Sequence, residues 1–222
     1  MKILVLKGSP RIQGNTNSLV RQFTKRLREL STQQGEISLQ NCDNISWEEI
    51  NLYDMSISPC RACRECQRNW QEPACVIDDD MQSIFLKILA ADLIVLATPI
   101  YSWYCTAPMK ALLDRCVYAL NKFYGTPAVG TPESSKPAAA GKTKKSRGPS
   151  LWRGKQLALI TTCGYEPEKG ADLLEEGIRR YCRHSGLEYR GMLVERHLGY
   201  DTEFMDDDKA MRAQEFCDIL IR

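Results

Sequence analysis

Apolar positions along the chain change period repeatedly, from runs that suit buried strands to spacings that suit helices. Lys2 to Lys7 carries a short apolar run that ends at Gly8-Ser9-Pro10, which cannot continue as a strand. Leu19, Val20, Phe23, Leu27 and Leu30 then fall on one face of a helix predicted over Ser18 to Leu30. Glu36 to Gln40 alternates weakly as a second strand, and the polar stretch to about Glu49 reads as an irregular excursion. Asp78-Asp79-Asp80 supplies an N-cap and the negative charge a helix start favours, predicting a helix to Ala90. Asp92 to Thr98 is almost wholly apolar, as in a strand buried on both faces. Pro108 opens a helix whose stripe runs through Met109, Leu112, Leu113, Cys116, Val117, Leu120 and Tyr124. Gln156 to Thr162 is a further strand, and Leu173 to His184 a helix stopped by Gly186. Leu187 to Val194 and Lys209 to Ile221 give the last strand and helix, with Asp206-Asp207-Asp208 as a capping cluster.

Strand and helix alternating five times predicts one α/β domain over residues 1–222, a doubly wound five-stranded parallel sheet with helices on both faces. Ligands of such sheets bind beyond the carboxyl ends of the strands. That rule singles out three loops, Gly8 to Asn17, Thr98 to Cys105 and Thr162 to Glu166.

Composition narrows the class. The chain has 222 residues, 43% hydrophobic and 26% charged, which is ordinary for a globular domain. No apolar run approaches a membrane span, and the first residues lack the pattern of a signal peptide, so a cytoplasmic protein is expected. Seven basic residues and no acid lie between Lys136 and Lys155; setting them aside turns a net charge of +2 into −5. A mildly acidic body argues against a nucleic-acid partner. The Gly-, Pro-, Ala-, Ser- and Lys-rich stretch from about 125 to 154 reads as a flexible basic insert.

The first loop, Gly8-Ser9-Pro10-Arg11-Ile12-Gln13-Gly14-Asn15-Thr16-Asn17, matches neither a Rossmann fingerprint nor a Walker loop. It gathers hydroxyls, amides and one guanidinium at a helix start, the donor set a phosphomonoester requires. This run resembles the FMN-phosphate loop of the NADPH-dependent FMN reductase family, whose fold is flavodoxin-like. Thr98-Pro99-Ile100-Tyr101-Ser102-Trp103, followed by Ala107-Pro108-Met109-Lys110 and Leu113-Asp114-Arg115, is similar to the family's segment bordering the flavin ring. Thr161-Thr162-Cys163-Gly164-Tyr165 resembles its glycine turn on the other side of the ring. The three matches stand in the family's order and cover nearly the whole chain.

The resemblance implies an FMN site with Ser9, Arg11, Asn15, Thr16 and Asn17 on the phosphate. Pro99, Ile100, Tyr101, Ser102 and Trp103 would line one side of the ring, and Thr162, Cys163, Gly164 and Tyr165 the other. Trp103 and Tyr104 have an alternative in surface or interface packing, and Asp114 with Arg115 in a structural ion pair.

Ten cysteines without an export signal point to metal or redox chemistry rather than disulfides. Cys60-x2-Cys63-x2-Cys66-x8-Cys75 offers four thiolates, suited to a [4Fe-4S] cluster or a tetrahedral zinc. Buried thiols acting as small hydrophobes are the alternative. The spacing resembles the compact motif of the iron–sulfur flavoprotein branch of the same family, with a longer last interval. Cys42, Cys105, Cys116, Cys182 and Cys217 read as structural.

The two histidines and the absence of a nucleophilic triad suit chemistry performed by a cofactor. The resemblance implies an FMN-dependent oxidoreductase taking hydride from NAD(P)H and passing electrons to a flavin, quinone or other acceptor. Its rival is an electron carrier between FMN and a cluster, with a ferredoxin-type partner. The family also implies a homodimer or homotetramer. The basic insert is expected to draw NADPH's phosphates by its field.

Overall fold

In a computed structural model that describes residues 1–32, 45–123, 148–199 and 201–222, five parallel strands form one sheet. The strands are β1 (Lys2–Lys7), β2 (Ser46–Asn51), β3 (Leu93–Pro99), β4 (Gln156–Cys163) and β5 (Glu188–Arg196). Their order is β2-β1-β3-β4-β5, and every neighbouring pair is parallel. Helices α1 (Asn15–Thr32), α2 (Met81–Ala90), α3 (Ala107–Ala119), α4 (Pro167–Gly170), α5 (Asp172–Ser185) and α6 (Asp207–Ile221) connect and cover it.

The strand period of two divides the interior into two cores. Ile3, Val5, Leu93, Val95, Ala97, Ala158 and Ile160 face α1 and α6, meeting Leu19, Phe23, Leu27, Phe216 and Leu220. Leu4, Leu6, Ile94, Leu96, Leu157 and Leu159 face the other way, onto α2, α3 and α5. Burying one such side chain contributes about 1.5–3 kcal/mol, so the central strands hold the sheet while their carboxyl ends stay free for polar work.

The predicted sheet and its flavodoxin-like order are present, with differences at the edges. The expected strand at Glu36 to Gln40 lies outside the described residues. The stretch read as irregular to about Glu49 instead contains β2, pairing Lys2 with Ser46 through Lys7 with Asn51. Its only fully buried side chain is Ile50, and Glu48 and Glu49 pair with Lys87 and Lys7. An edge strand secured by backbone pairing has no hydrophobic alternation to reveal it.

Helix α3 ends at Ala119 rather than running to Tyr124, which lies outside the described residues. Asn121 bridges to Ser150, and its amide group bonds Val117, Ser185 and Trp152. Within residues 148–154, read from the sequence as part of a flexible insert, Trp152 is packed into the core at only 2% exposure, while Pro149, Arg153 and Gly154 are exposed. Residues 125–147 of that insert lie outside the described residues.

Candidate functional site

The loop after β1 is wound around one carbonyl. The Arg11 oxygen accepts from the Gly14 N–H (2.9 Å), the Asn17 side-chain amide (2.8 Å) and the Ser9 hydroxyl (3.4 Å). A Cβ on Gly14 would stand 2.8 Å from the Arg11 Cβ, so the turn admits only glycine at this radius. The turn delivers the chain into α1, where the first N–H groups, at Asn15, Thr16 and Asn17, have no carbonyl a turn earlier to bond. Helix dipole and free N–H groups together favour an anion there.

Hydroxyls tie this loop to its neighbours. The Thr16 and Thr162 hydroxyls meet at 2.7 Å, joining the start of α1 to the end of β4. Thr106, at the start of α3, donates to the Gly8 carbonyl at 2.7 Å, and its N–H donates to the Thr98 hydroxyl at 3.2 Å. Thr161 donates to the Thr98 carbonyl at 2.7 Å. All of these threonines are buried, so the three loops hold a common geometry at low dielectric.

Between the loops lies a cleft of about 210 Å³. Ser9, Arg11, Asn15 and Thr16 line it together with Pro99, Ile100, Tyr101 and Thr162. A second cleft of about 270 Å³ adjoins it at Ile100 and is lined by Ser102, Trp103, Cys163, Gly164 and Tyr165. Asn17 is the exception among the expected residues. It is buried, with its amide turned onto Arg11, where it positions the loop rather than lining the cleft. A wider hollow near Met1 and Asp92 lies at the amino ends of the strands, away from the edge where such sheets bind ligands.

The second cleft is built by a strained hairpin. Tyr101 and Tyr104 exchange both backbone hydrogen bonds, at 2.9 and 3.0 Å, across Ser102 and Trp103. Both central residues are left-handed, at φ 50° and 62°, a conformation that costs non-glycine residues about 1–2 kcal/mol each. The hairpin lays the Trp103 indole over Tyr165, ring centres 5.9 Å apart and planes within 11°. The indole N–H donates to the Lys169 carbonyl at 3.1 Å. Trp103 is 47% and Tyr165 61% exposed, an aromatic pair open to solvent beside the cleft. Cys163 is buried below, its thiol donating to the Tyr165 carbonyl at 3.2 Å, and burial pushes that thiol up.

The cysteine segment lies beside α2 and α3 and is fastened through its backbone. Lys122, 0% exposed, donates to the carbonyls of Cys66 (2.8 Å), Glu72 (2.8 Å) and Pro73 (3.4 Å). Burial pushes its ammonium down to about 8, with Cys66, Glu72 and Cys75 acting the other way. Arg115 and Asp79 form an ion pair whose side chains are 1% and 3% exposed, and Arg115 also donates to the Ser58 carbonyl at 2.9 Å. Asp114 pairs instead with Lys110 on the surface, so the adjacent Asp114 and Arg115 are not an ion pair with each other. Cys66 is buried, Cys60 and Cys75 half-buried and Cys63 exposed, and burial pushes the Cys66 thiol up. As placed, these cysteines do not converge: among the described residues no group of three or more His, Cys, Asp or Glu could hold a metal ion. Cys105, Cys116, Cys182 and Cys217 are buried, as structural thiols are; Cys42 lies outside the described residues.

Two contributions were not read from the sequence. Thr106 ties the first two loops through its hydroxyl and N–H, and no motif marks it; Thr98 and Thr161 stand in the matched motifs, but their ties were not foreseen. His197 lines the first cleft from beyond the end of β5, a fourth strand end to which the same carboxyl-edge rule applied. No helix among the described residues is long and apolar enough to cross a membrane.

An iron-sulfur flavoprotein of Methanocaldococcus jannaschii is 34% identical over 136 residues, covering 59% of this chain and 62% of that protein. An iron-sulfur flavoprotein of Methanosarcina thermophila is 34% identical over 122 residues, covering 55% and 56%. The chain therefore spans less than two thirds of the length of these curated relatives. Among solved structures, an NAD(P)H:quinone oxidoreductase from Methanothermobacter marburgensis superposes with a TM-score of 0.66 at 17% identity, covering 99% of this chain and 98% of that one. An FMN-dependent NADH-azoreductase from Bacillus anthracis, in complex with FMN, gives 0.62 at 15%, covering 100% of both. Residues 1–172 match the NADPH-dependent FMN reductase model, which spans all three strand-end loops and the cysteine segment: the chain belongs to the NADPH-dependent FMN reductase family.

Proposed function

We propose that the protein is an FMN-dependent oxidoreductase that takes hydride from NAD(P)H and passes the electrons to a flavin, quinone or similar acceptor. The observation that carries this reading is the convergence of three hydroxyl-tied strand-end loops on a cleft whose described lining contains no carboxylate. The donor set suits a phosphomonoester: the Ser9 hydroxyl, the Arg11 guanidinium and the first N–H groups of α1. Ile100, Tyr101 and Thr162 would border the flavin ring, and Trp103, Gly164 and Tyr165 the space beside it. Bound FMN would supply the electron chemistry, so the protein's own part is to bind, orient and exclude water. The exposed Trp103–Tyr165 pair offers a flat apolar face to a nicotinamide or a quinone.

The test is titration of the protein with FMN, followed by anaerobic NADPH and NADH oxidation with a quinone or free flavin as acceptor. One FMN per chain and acceptor-dependent turnover support the reading. Failure to retain FMN overturns it.

A second reading, an electron carrier relaying electrons between FMN and a [4Fe-4S] cluster to a ferredoxin-type partner, rests on the relatives' name and on the four-cysteine segment. The cysteines as placed do not fit a cluster. Iron and sulfide assays on anaerobically purified protein decide it: about four of each per chain support the carrier. None of either, with NAD(P)H turnover intact, leaves the reductase alone.

A further inference from the structure

Three strand ends account for the first cleft in the reading above, but a fourth element also lines it. His197, Gly199 and Thr202, in the stretch between β5 and α6, share its wall with Ser9, Arg11, Asn15 and Thr16. These three residues lie beyond 1–172, the portion the family model matches. His197 is held by its backbone, whose N–H donates to the Cys163 carbonyl at 2.9 Å. Its ring has room because residue 164 is glycine: a Cβ there would stand 3.3 Å from Nε2. Neither ring nitrogen of His197 is engaged in a hydrogen bond among the described residues.

We propose that His197 recognises the phosphate of the bound flavin, making the site selective for FMN over unphosphorylated flavin. The inference rests on the FMN reading and adds a residue to it. Three observations favour the phosphate over the ring. His197 lines the cleft that Ser9, Arg11, Asn15 and Thr16 line together with Pro99, Ile100, Tyr101 and Thr162, and it is absent from the adjoining aromatic cleft. A phosphomonoester carries a charge of about −1.5 to −2 at neutral pH, whereas Arg11 is the sole Lys or Arg among the described lining residues. No Asp or Glu stands among the described lining residues of this cleft, and Glu166 and Glu195 are held by Arg196 and Arg212. A ring N–H in this position adds a charge-assisted hydrogen bond to those of Ser9 and Arg11.

H197A and H197Q would be titrated with FMN and with riboflavin by quenching of flavin fluorescence. The FMN dissociation constant should rise about tenfold or more in H197A and by less in H197Q, which keeps a donor, while the riboflavin constant stays within about twofold. Inorganic phosphate, used as a competitor of FMN, should lose potency in the same variants, which decides the matter even where riboflavin binds too weakly to titrate. Equal losses for FMN and riboflavin, unchanged FMN binding, or unchanged phosphate competition would overturn the proposal. A wild-type protein that binds no FMN would instead fail the functional reading itself.

Discussion

Two buried cations, Arg115 and Lys122, sit where an interior normally excludes charge, and the first carries a measurable consequence. Burial alone would push the Asp79 carboxyl up, but hydrogen bonds from Arg115 and from the Ser58 and Met81 amides hold it below the usual carboxylate value. A carboxyl lowered in the folded chain stabilises fully above its unfolded value, and that contribution is lost as pH falls through the folded one. The acid limb of stability should therefore steepen below about pH 4. D79N leaves Arg115 without its counter-charge and should cost about 3–5 kcal/mol in urea unfolding at neutral pH, with a shallower acid limb. An acid limb identical to wild type would contradict the pairing. None of this was legible in the sequence. Asp79 reads there as one of three capping acids and Arg115 as the neighbour of Asp114, and only the packing of α3 against the start of α2 selects the true partner.

Among the elements, the junction of α1 with β4 is the most exposed to test. T16V removes the buried hydroxyl contact with Thr162 and should lower stability by about 1–3 kcal/mol. Because the lost bond fixes the start of α1 against β4, FMN affinity should fall with it; a variant that binds FMN as tightly as wild type would show the tie to be dispensable. The hairpin at Ser102 and Trp103 behaves oppositely. S102G should leave stability unchanged or raise it by up to about 1 kcal/mol, since glycine adopts φ 50° without strain. A clear loss on chemical denaturation would show that the serine hydroxyl matters more than the backbone. Buried strands and amphipathic helices were legible because their periods follow from burial, as in β3, β4 and α5. The edge strand β2 was not, since it buries only Ile50 in full and its pairing lies in backbone groups that every sequence carries.

For the molecule as a whole, the parallel, doubly wound sheet followed from alternation, and its flavodoxin-like order from the resemblance carried by the loop motifs. How far the cysteines stand from one another did not, because spacing along a chain does not fix the path of a loop without regular structure. The basic stretch can be tested by replacement. Its flanks are already joined, by the Lys122 N–H to the Pro149 carbonyl at 3.0 Å and by the bridge from Asn121 to Ser150. Replacing residues 125–147 with a short glycine–serine linker should therefore leave the melting temperature within about 2 °C and FMN binding unchanged. If its field draws NADPH's phosphates, the NADPH KM should rise severalfold at low salt and the NADH KM much less. An unchanged ratio of the two would remove the stretch from cofactor choice.

The fastening of the cysteine segment has one more implication. Lys122, Gln67 and Arg115 grip the segment, or anchor it, through main-chain carbonyls and amides. Main-chain groups are the same whatever side chains stand beside them. A clasp of that kind is indifferent to the side chains that point away from the core, so the exposed Cys63 can be exchanged for serine without unthreading the loop. The buried Cys66 is the exchange the fold would register, because its thiol fills part of the core between the sheet and its helices.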